Sequence, residues 1–276
     1  MARWDKLSQR GNVEDRRGVS AQGIGGGLGL VGFAAIIVFS LIAGGDTSQI
    51  IGTVLEDINN TQATQQTDVQ PEEFAGEDDY EVFVSTVLGS ANETWANIFA
   101  QTGQTYDEPR LVLFRGSTSS RCGGATAAIG PHYCPADSTI YIDETFFDEL
   151  QSRFGARGGD VAEAYVVAHE VAHHVQYELN LDSQIDRSSN QDSVNFELQA
   201  DCFAGIWAHS ISDLGVFEPG EIDEAIDAAE AVGDDRIQER TTGTIRPEDW
   251  THGSSAQRKA WFERGYSTGQ PSSCTI

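Results

Sequence analysis

The chain has 276 residues, of which 43 are Asp or Glu and 17 are Lys or Arg, so its formal net charge is −26. Such acidity argues against nucleic acid as a partner, because the phosphates would be repelled. The hydrophobic content of 39% is compatible with a real core. Two origins of the acidity stay open: adaptation to a saline environment, where screening tolerates dense carboxylates, and a merely acidic lineage.

The first 45 residues predict a membrane anchor. Residues 1–22 are polar and predict a disordered cytoplasmic tail, whereas residues 23–45 contain no charged side chain and match the length of about 20 residues that a spanning helix needs. Basic residues precede this segment and acidic ones follow it: Arg3, Lys6, Arg10, Arg16 and Arg17, then Asp46, Glu56 and Asp57. The positive-inside rule then places the N-terminus in the cytoplasm and the rest outside. A cleaved signal peptide is the alternative interpretation.

A linker and a folded domain follow the apolar segment. Residues 46–78 are rich in Asp, Gln, Thr and Glu and predict an extracytoplasmic linker, with the domain occupying residues 79–276. The domain begins with a helix over 79–101, which has an apolar stripe. Strands are predicted over 111–114 and 139–143, and further helices over 146–154, 161–179, 191–212, 219–231 and 255–264. A few strands followed by many helices indicate an α+β domain, mainly helical with a small β-sheet, after one transmembrane helix.

Four cysteines predict two disulfides in an exported domain. Cys122 and Cys134 bracket a Gly-rich loop and form the natural pair, which leaves Cys202 with Cys274. A zinc site made of all four thiolates is the rival interpretation, but the chain lacks any C-x-x-C spacing.

The helix over 161–179 carries the pattern H-E-x-x-H, with His169, Glu170 and His173. Residues four apart on a helix project from the same face, so the two imidazoles can bind one metal ion, and Glu170 can handle a proton beside it. The pattern predicts a zinc-dependent hydrolase, most simply a peptidase. A three-histidine site would need Gly at 176 and His at 179, where this chain has Gln176 and Leu179.

A hydrolytic zinc site takes three protein ligands and keeps one position for water. The candidates for the third ligand are Glu197, Asp201, His209 and His252, of which Glu197 is best placed. Asp201 lies one helical turn further on and can accept the free N–H of a ligating histidine, which would orient the ring.

The remaining histidines and tryptophans are less informative. His252 precedes a helix N-terminus and could donate a hydrogen bond to a developing oxyanion, or it could be an ordinary residue of the cap region. We expect His132, His174 and His209 to be structural or exposed, and Trp207 and Trp250 to belong to the core.

Several stretches together resemble the neutral zinc metallopeptidase family of bacterial membrane proteins. They are Arg3-Trp4, the run Asn-Val-Glu-Asp-Arg-Arg-Gly at 12–18, the Gly-rich anchor, and the segments 130–137, 169–174, 197–205 and 251–258. The resemblance covers nearly the whole chain except the linker. It implies a zincin-like domain of the gluzincin type, with zinc on His169, His173 and Glu197 and with Glu170 as catalyst. His132 departs from the family pattern, in which an aromatic residue such as Phe is expected.

These observations predict a single-pass protein of the plasma (inner) membrane, with an extracytoplasmic zinc peptidase domain that acts on a peptide or protein. By analogy with zincins, residues 139–143 are the candidate edge strand to which a substrate strand would add. Two other functions stay open: a non-proteolytic zinc-binding scaffold or chaperone-like membrane protein, and a zinc amidase that acts on cell-wall peptides.

Overall fold

A computed structural model describes residues 1–8, 10–17, 72–73, 78–126, 130–152, 155–186 and 189–276. Nearly all of them belong to one compact unit, Met1–Arg16 with Glu72–Ile276. Of the second unit, Arg17–Pro71, only Arg17 is described. The predicted transmembrane segment at 23–45 and most of the predicted linker therefore lie outside the described residues. Among the described helices, none is both long enough and apolar enough to cross a membrane.

Seven α-helices, one mixed sheet and a separate two-stranded hairpin make up most of the described unit. The helices are α1 (Asp79–Gln101), α2 (Phe146–Ser152), α3 (Asp160–Glu178), α4 (Asn190–Ser212), α5 (Ile222–Ala231), α6 (Asp234–Thr242) and α7 (Ser255–Thr268). Polar caps begin three of them, because Asp78, Ser189 and Ser254 accept hydrogen bonds from the first free backbone N–H groups of α1, α4 and α7. The mixed helical fold with a small sheet is the fold class that the sequence predicts.

The strands are β1 (Val13–Asp15), β2 (Glu72–Glu73), β3 (Arg110–Phe114), β4 (Ser117–Ser120), β5 (Gly123–Thr126), β6 (His132–Cys134) and β7 (Thr139–Asp143). The sheet has the order β2-β1-β3-β7-β6, in which β1, β3 and β7 run parallel, and β4 pairs with β5 in a separate hairpin. Alternate side chains of β3 and β7 face opposite ways. Leu111, Leu113, Ile140 and Ile142 join the main core with the helices, whereas Val112, Phe114 and Tyr141 form a smaller cluster with Ala125 of the hairpin.

The edge of the sheet differs from the prediction. Residues 139–143 form β7, which lies between β3 and β6, so the prediction that they are the edge strand is wrong. Within the described residues the edge on this side is β6, whose Tyr133 pairs with Ile140. A three-residue strand beside Gly130 and Pro131 offers too few positions for an alternating pattern, which explains why the sequence does not reveal it.

The N-terminal residues are folded into the unit. Ala2, Leu7 and Val13 are buried, and β1 pairs with β3 in the register Val13↔Leu111. The Trp4 indole donates a hydrogen bond to Oδ2 of Asp160, at the start of α3, over 2.7 Å. The prediction of a disordered tail is therefore wrong for residues 1–8 and 10–17. Polar composition conceals the order, because the few apolar side chains contact elements far away in sequence, such as Phe83 beside Trp4 and Leu111 opposite Val13.

Two disulfides tie loops to the core, with the pairing that the sequence predicts. Cys122–Cys134 links the turn of the β4–β5 hairpin to β6, and Cys202–Cys274 links α4 to the C-terminal segment. The second bond closes a loop of 72 residues, so in a chain-entropy description it constrains the unfolded chain more than the first, which closes 12.

Helices α4 and α7 pack backbone to backbone at a pair of glycines. A Cβ at Gly265 would lie 1.8 Å from the carbonyl oxygen of Cys202, and one at Gly205 would lie 2.2 Å from the carbonyl oxygen of Phe262. Neither neighbour is a flexible side chain that could turn away. The close approach therefore depends on glycine at both positions, and it fixes the spacing of two helices that supply site residues.

We expect Gly265→Ala to lower the free energy of unfolding by about 3 kcal/mol, the upper end of usual overpacking costs, because the added methyl meets backbone. Chemical denaturation followed by circular dichroism measures it. Gly124→Ala is the matched control, since a Cβ there meets no heavy atom within 4 Å and its φ is not positive. Equal stability of the two variants would contradict the close packing.

Candidate metal centre

Helix α3 places the side chains of the H-E-x-x-H pattern in the interior. The residues of α3 on either side of this pattern are mostly Val and Ala, and most of them are buried. His169 and Glu170 are themselves buried, at 7% and 6% exposure. The two histidine rings stand nearly perpendicular, with their centroids 4.8 Å apart. Spacing of four residues on one helix thus brings both imidazoles to one place, as the sequence predicts.

Helix α4 brings Glu197 against these rings. Oε2 of Glu197 lies 3.2 Å from Nε2 of His169, and Oε1 lies 3.5 Å from Nε2 of His173. One donor atom from each of the three residues lies within 4.8 Å of the others, and within the described part of the chain this is the single group of His, Cys, Asp or Glu side chains arranged in this way. Glu197 is therefore the third member of the cluster, in preference to His209 or His252.

The cluster fits a zinc ion in its chemistry and in the distances from Glu197 to the two histidines. Two imidazole nitrogens and one carboxylate oxygen are a usual donor set of hydrolytic zinc sites. Bonds of about 2.0–2.1 Å to a tetrahedral ion place neighbouring donors about 3.3 Å apart, close to the two distances to Glu197. Beside the donors, Oε2 of Glu170 is buried and has no hydrogen-bond partner among the described residues. A buried acceptor without a partner is costly in a purely structural site.

Nδ1 of His169 faces Asp201, which belongs to a buried network with Tyr165 and Arg258. Nδ1 of His169 lies 2.9 Å from Oδ1 of Asp201, which accepts a hydrogen bond from the Tyr165 hydroxyl over 2.5 Å. Arg258 of α7 donates two hydrogen bonds to the same carboxylate. One runs from Nε to Oδ2 over 2.8 Å and the other from Nη2 to Oδ1 over 2.9 Å. The predicted position of Asp201 behind the first histidine thus agrees with the geometry, and Tyr165 and Arg258 are additions that the sequence did not single out.

Neighbouring groups of opposite charge shift the pKa values of Asp201 and His169 in this network. Burial alone would raise the pKa of Asp201, but the Arg258 guanidinium and His169 outweigh it and hold the value at about 2, so the carboxylate is ionised. Burial would lower the pKa of His169, but the neighbouring carboxylates of Asp201 and Glu197 raise it to about 9. The carboxylates thus create a negative potential that favours a cation at the Nε2 atoms.

A second, uncharged network holds His173. Nδ1 of His173 lies 2.9 Å from Oε1 of Gln176, whose amide nitrogen donates to the carbonyl oxygen of Phe196 and to Oε1 of Gln199. Gln199 in turn donates to the carbonyl oxygen of Cys274. From the sequence alone, Gln176 is informative only because it excludes a three-histidine site. A glutamine three residues after the second histidine, on a helix otherwise lined by Val and Ala, is the signal that could have identified it.

The His174 side chain points away from His169, His173 and Glu197, and its hydrogen bonds link α3 to the sheet. Its Nε2 lies 2.5 Å from the carbonyl oxygen of Asp107, so it donates there, and Nδ1 then accepts from the Tyr133 hydroxyl over 2.9 Å. Burial lowers the pKa of His174, which keeps the ring neutral as this pattern requires. The expectation of a packing role agrees with these contacts, which hold β6 close to α3.

The other predicted candidates lie elsewhere in the unit. The His252 side chain is about half exposed, and its Nδ1 lies 3.2 Å from Oδ1 of Asp234. None of its contacts in the described residues reaches the three donors, so its role toward an oxyanion stays a prediction. His209 pairs with the carbonyl oxygen of Tyr266, and His132 stacks on Tyr141. Trp207 is buried in the core, whereas Trp250 is only partly buried beside Gln238.

Sequence comparisons found a matching family model and several relatives of the chain. The sequence model of the family described as "Putative neutral zinc metallopeptidase" matches residues 2–276. Over 286 aligned positions, covering 99% of this chain and 97% of the relative, the chain is 40% identical to "Uncharacterized protein YpfJ" of Escherichia coli strain K12. It is 43% identical over 182 residues, 61% of this chain and 62% of the relative, to "Uncharacterized protein Rv2575" of Mycobacterium tuberculosis and "Uncharacterized protein Mb2605" of Mycobacterium bovis. No solved structure matches the chain significantly.

Proposed function

The chain belongs to the neutral zinc metallopeptidase family, and we propose that it hydrolyses peptide bonds at a zinc ion held by His169, His173 and Glu197. One observation carries the proposal. Three donors of the zinc-binding kind converge within 4.8 Å, and the carboxylate of Glu170 is buried on the same helix with an oxygen that no described residue satisfies. A site that only stores or senses a metal has no use for that fourth, unpaired group.

In such a site zinc supplies Lewis acidity, which lets water lose a proton near neutral pH and polarises a substrate carbonyl. Glu170 is the group of this chain that can take that proton, since its Oε2 has no competing hydrogen bond. The same oxygen can then return the proton to the leaving amine, which a peptide bond needs in order to break. His169 and His173 present Nε2 toward Glu197 because their Nδ1 atoms face Asp201 and Gln176.

We infer an extended peptide as the substrate form. Strand β6 is an outer strand of the described sheet, antiparallel to β7, and Tyr133 at its centre is bonded to His174 of the metal helix. A free strand edge binds extended chains through main-chain hydrogen bonds. An extended segment paired with β6 would therefore run beside α3, as in the zincin-like arrangement that the sequence resemblance implies.

The two disulfides support an extracytoplasmic location for the unit. Disulfides persist in oxidising compartments and are rare in the cytosol of most organisms. Both pairs, Cys122–Cys134 and Cys202–Cys274, lie within the unit that carries the metal centre. Membrane attachment through residues 23–45 stays a prediction.

Chelation of the purified protein tests the function. We expect cleavage of a mixed peptide panel to stop when the metal is removed and to return with added Zn²⁺, and we expect Glu197→Gln to lose zinc affinity by about 100-fold or more, since it replaces a charged ligand. Glu239→Gln, which alters an exposed carboxylate on α6, is the matched control. Cleavage that persists after complete metal removal would refute the peptidase mechanism, and zinc binding with no cleavage of peptides or cell-wall peptides would favour a scaffold.

A further inference from the structure

We propose that Gln176 and Gln199 are positioning residues for the metal ligand His173, and that the Cys202–Cys274 disulfide completes this support by holding the carbonyl group at which the chain of hydrogen bonds ends. The inference rests on the proposed zinc site. It concerns how the second histidine is oriented, which neither the motif nor the ligand set specifies.

The carbonyl group of Cys274 sets the direction of the hydrogen bonds that lead through Gln199 and Gln176 to His173. The carbonyl oxygen of Cys274 can only accept, so the amide nitrogen of Gln199 faces it, at 2.9 Å. Oε1 of Gln199 therefore faces Gln176 and receives a hydrogen bond over 3.0 Å. A reversed Gln199 amide would put nitrogen against nitrogen at Gln176 and oxygen against oxygen at Cys274.

The same logic fixes Gln176. Its amide nitrogen has two hydrogens, and both have acceptors: Oε1 of Gln199 and the carbonyl oxygen of Phe196, at 2.7 Å. Its Oε1 is then the atom that faces Nδ1 of His173, at 2.9 Å, and it can only accept. Nδ1 of His173 must carry the proton, so the lone pair of the neutral ring is on Nε2, the atom that faces Glu197.

Burial increases the expected cost of breaking any of these hydrogen bonds. Gln176 is 0% exposed and Gln199 is 5% exposed, so water does not replace a lost partner easily. Cys274 is 1% exposed and sits in a short 3₁₀ turn, Pro271–Cys274, which is bonded covalently to α4 only through Cys202. Cys202 follows Asp201 directly, so the bond anchors the turn to the same helix that carries Glu197.

Zinc affinity of the full chain, measured by competition with a chelating dye, tests the inference. We expect Gln176→Met to weaken binding by about 10- to 100-fold, the usual effect of losing the partner of a ligating histidine. Gln199→Met and the double variant Cys202→Ser/Cys274→Ser should weaken it in the same direction. The visible spectrum of the Co²⁺-loaded protein should change as well, which a loss of general stability alone would not cause in variants shown to be folded.

Cys122→Ser/Cys134→Ser is the matched control, because no hydrogen bond among the described residues links this disulfide to Gln176 or Gln199. We expect its zinc affinity and Co²⁺ spectrum to equal those of the parent. Gln199→Met combined with Cys202→Ser/Cys274→Ser should lower zinc affinity little more than the stronger of the two changes does alone. Both changes interrupt the same series of hydrogen bonds, so their effects should not add.

The outcomes separate the two proposals. A parent protein that binds no zinc would overturn the proposed function itself. A parent that binds zinc and cleaves peptides, with parental affinity and spectrum in folded Gln176→Met and Gln199→Met, would overturn only the positioning role. Equal weakening by the two disulfide variants would remove the disulfide from the support of the site.

Discussion

Glu170→Gln is expected to reduce peptide hydrolysis by about 10²- to 10⁴-fold, the range attributed to a general base, while the zinc content stays that of the parent. The substitution preserves size and removes the ability to take a proton. Glu170 is not one of the three converging donors, so the metal should remain bound. Peptide turnover under saturating substrate, together with metal analysis of the same preparation, measures both quantities.

Glu178→Gln is the matched control for this variant. It changes a carboxylate of the same helix at its last residue, about two and a half turns beyond His169 and outside the group of converging donors. We expect parental turnover from it. Parental turnover from a zinc-loaded Glu170→Gln protein would show that another group moves the proton, and the mechanism would then have to be abandoned.

The second large effect is on stability. Arg258→Met is expected to lower the free energy of unfolding by about 3–5 kcal/mol, because it leaves the charge of Asp201 buried without its main counterion. The two side chains are 4% and 0% exposed and are joined by two hydrogen bonds, so water cannot take over the role of the guanidinium. Urea denaturation of the parent and the variant measures the difference.

Lys259→Met provides the comparison from the next position on α7. Its ion pair with Glu230, at 3.4 Å, is between partly exposed side chains, and such pairs contribute about 0–1 kcal/mol. Adding Asp201→Asn to Arg258→Met should recover part of the lost stability, since it removes the uncompensated charge. A loss in Arg258→Met no larger than in Lys259→Met would contradict the picture of a buried, mutually dependent pair.

The helices and the cluster of His169, His173 and Glu197 were predictable because their signals are local. The period of apolar residues gives α1, α3 and α4 to within one or two residues of the observed ends. His169 and His173 are recognisable from a spacing of four, and Glu197 and Asp201 repeat that spacing with acidic residues. Each of these features is contained within one helical segment, so no knowledge of the tertiary fold is needed.

Contacts between distant segments were not predictable. The strands β1 and β6 have three residues each, too few for a pattern of alternation, and they are strands only because of their partners. Arg258 reaches Asp201 across 57 positions of sequence, and Gln199 reaches Cys274 across 75. Buried Tyr165, four residues before His169, is the exception, because its position on the metal-facing side of α3 could have been deduced.

The first strand has a consequence for membrane topology. Strands can form hydrogen bonds with one another only when they occupy the same side of a bilayer, and β1 pairs along its length with β3 of the metallopeptidase unit. The side on which α3 and α4 lie is therefore also the side of residues 13–15. The predicted combination of a cytoplasmic N-terminus with an extracytoplasmic domain therefore requires β1 to leave the sheet. A single crossing between β1 and β2 would leave the sheet without its first strand.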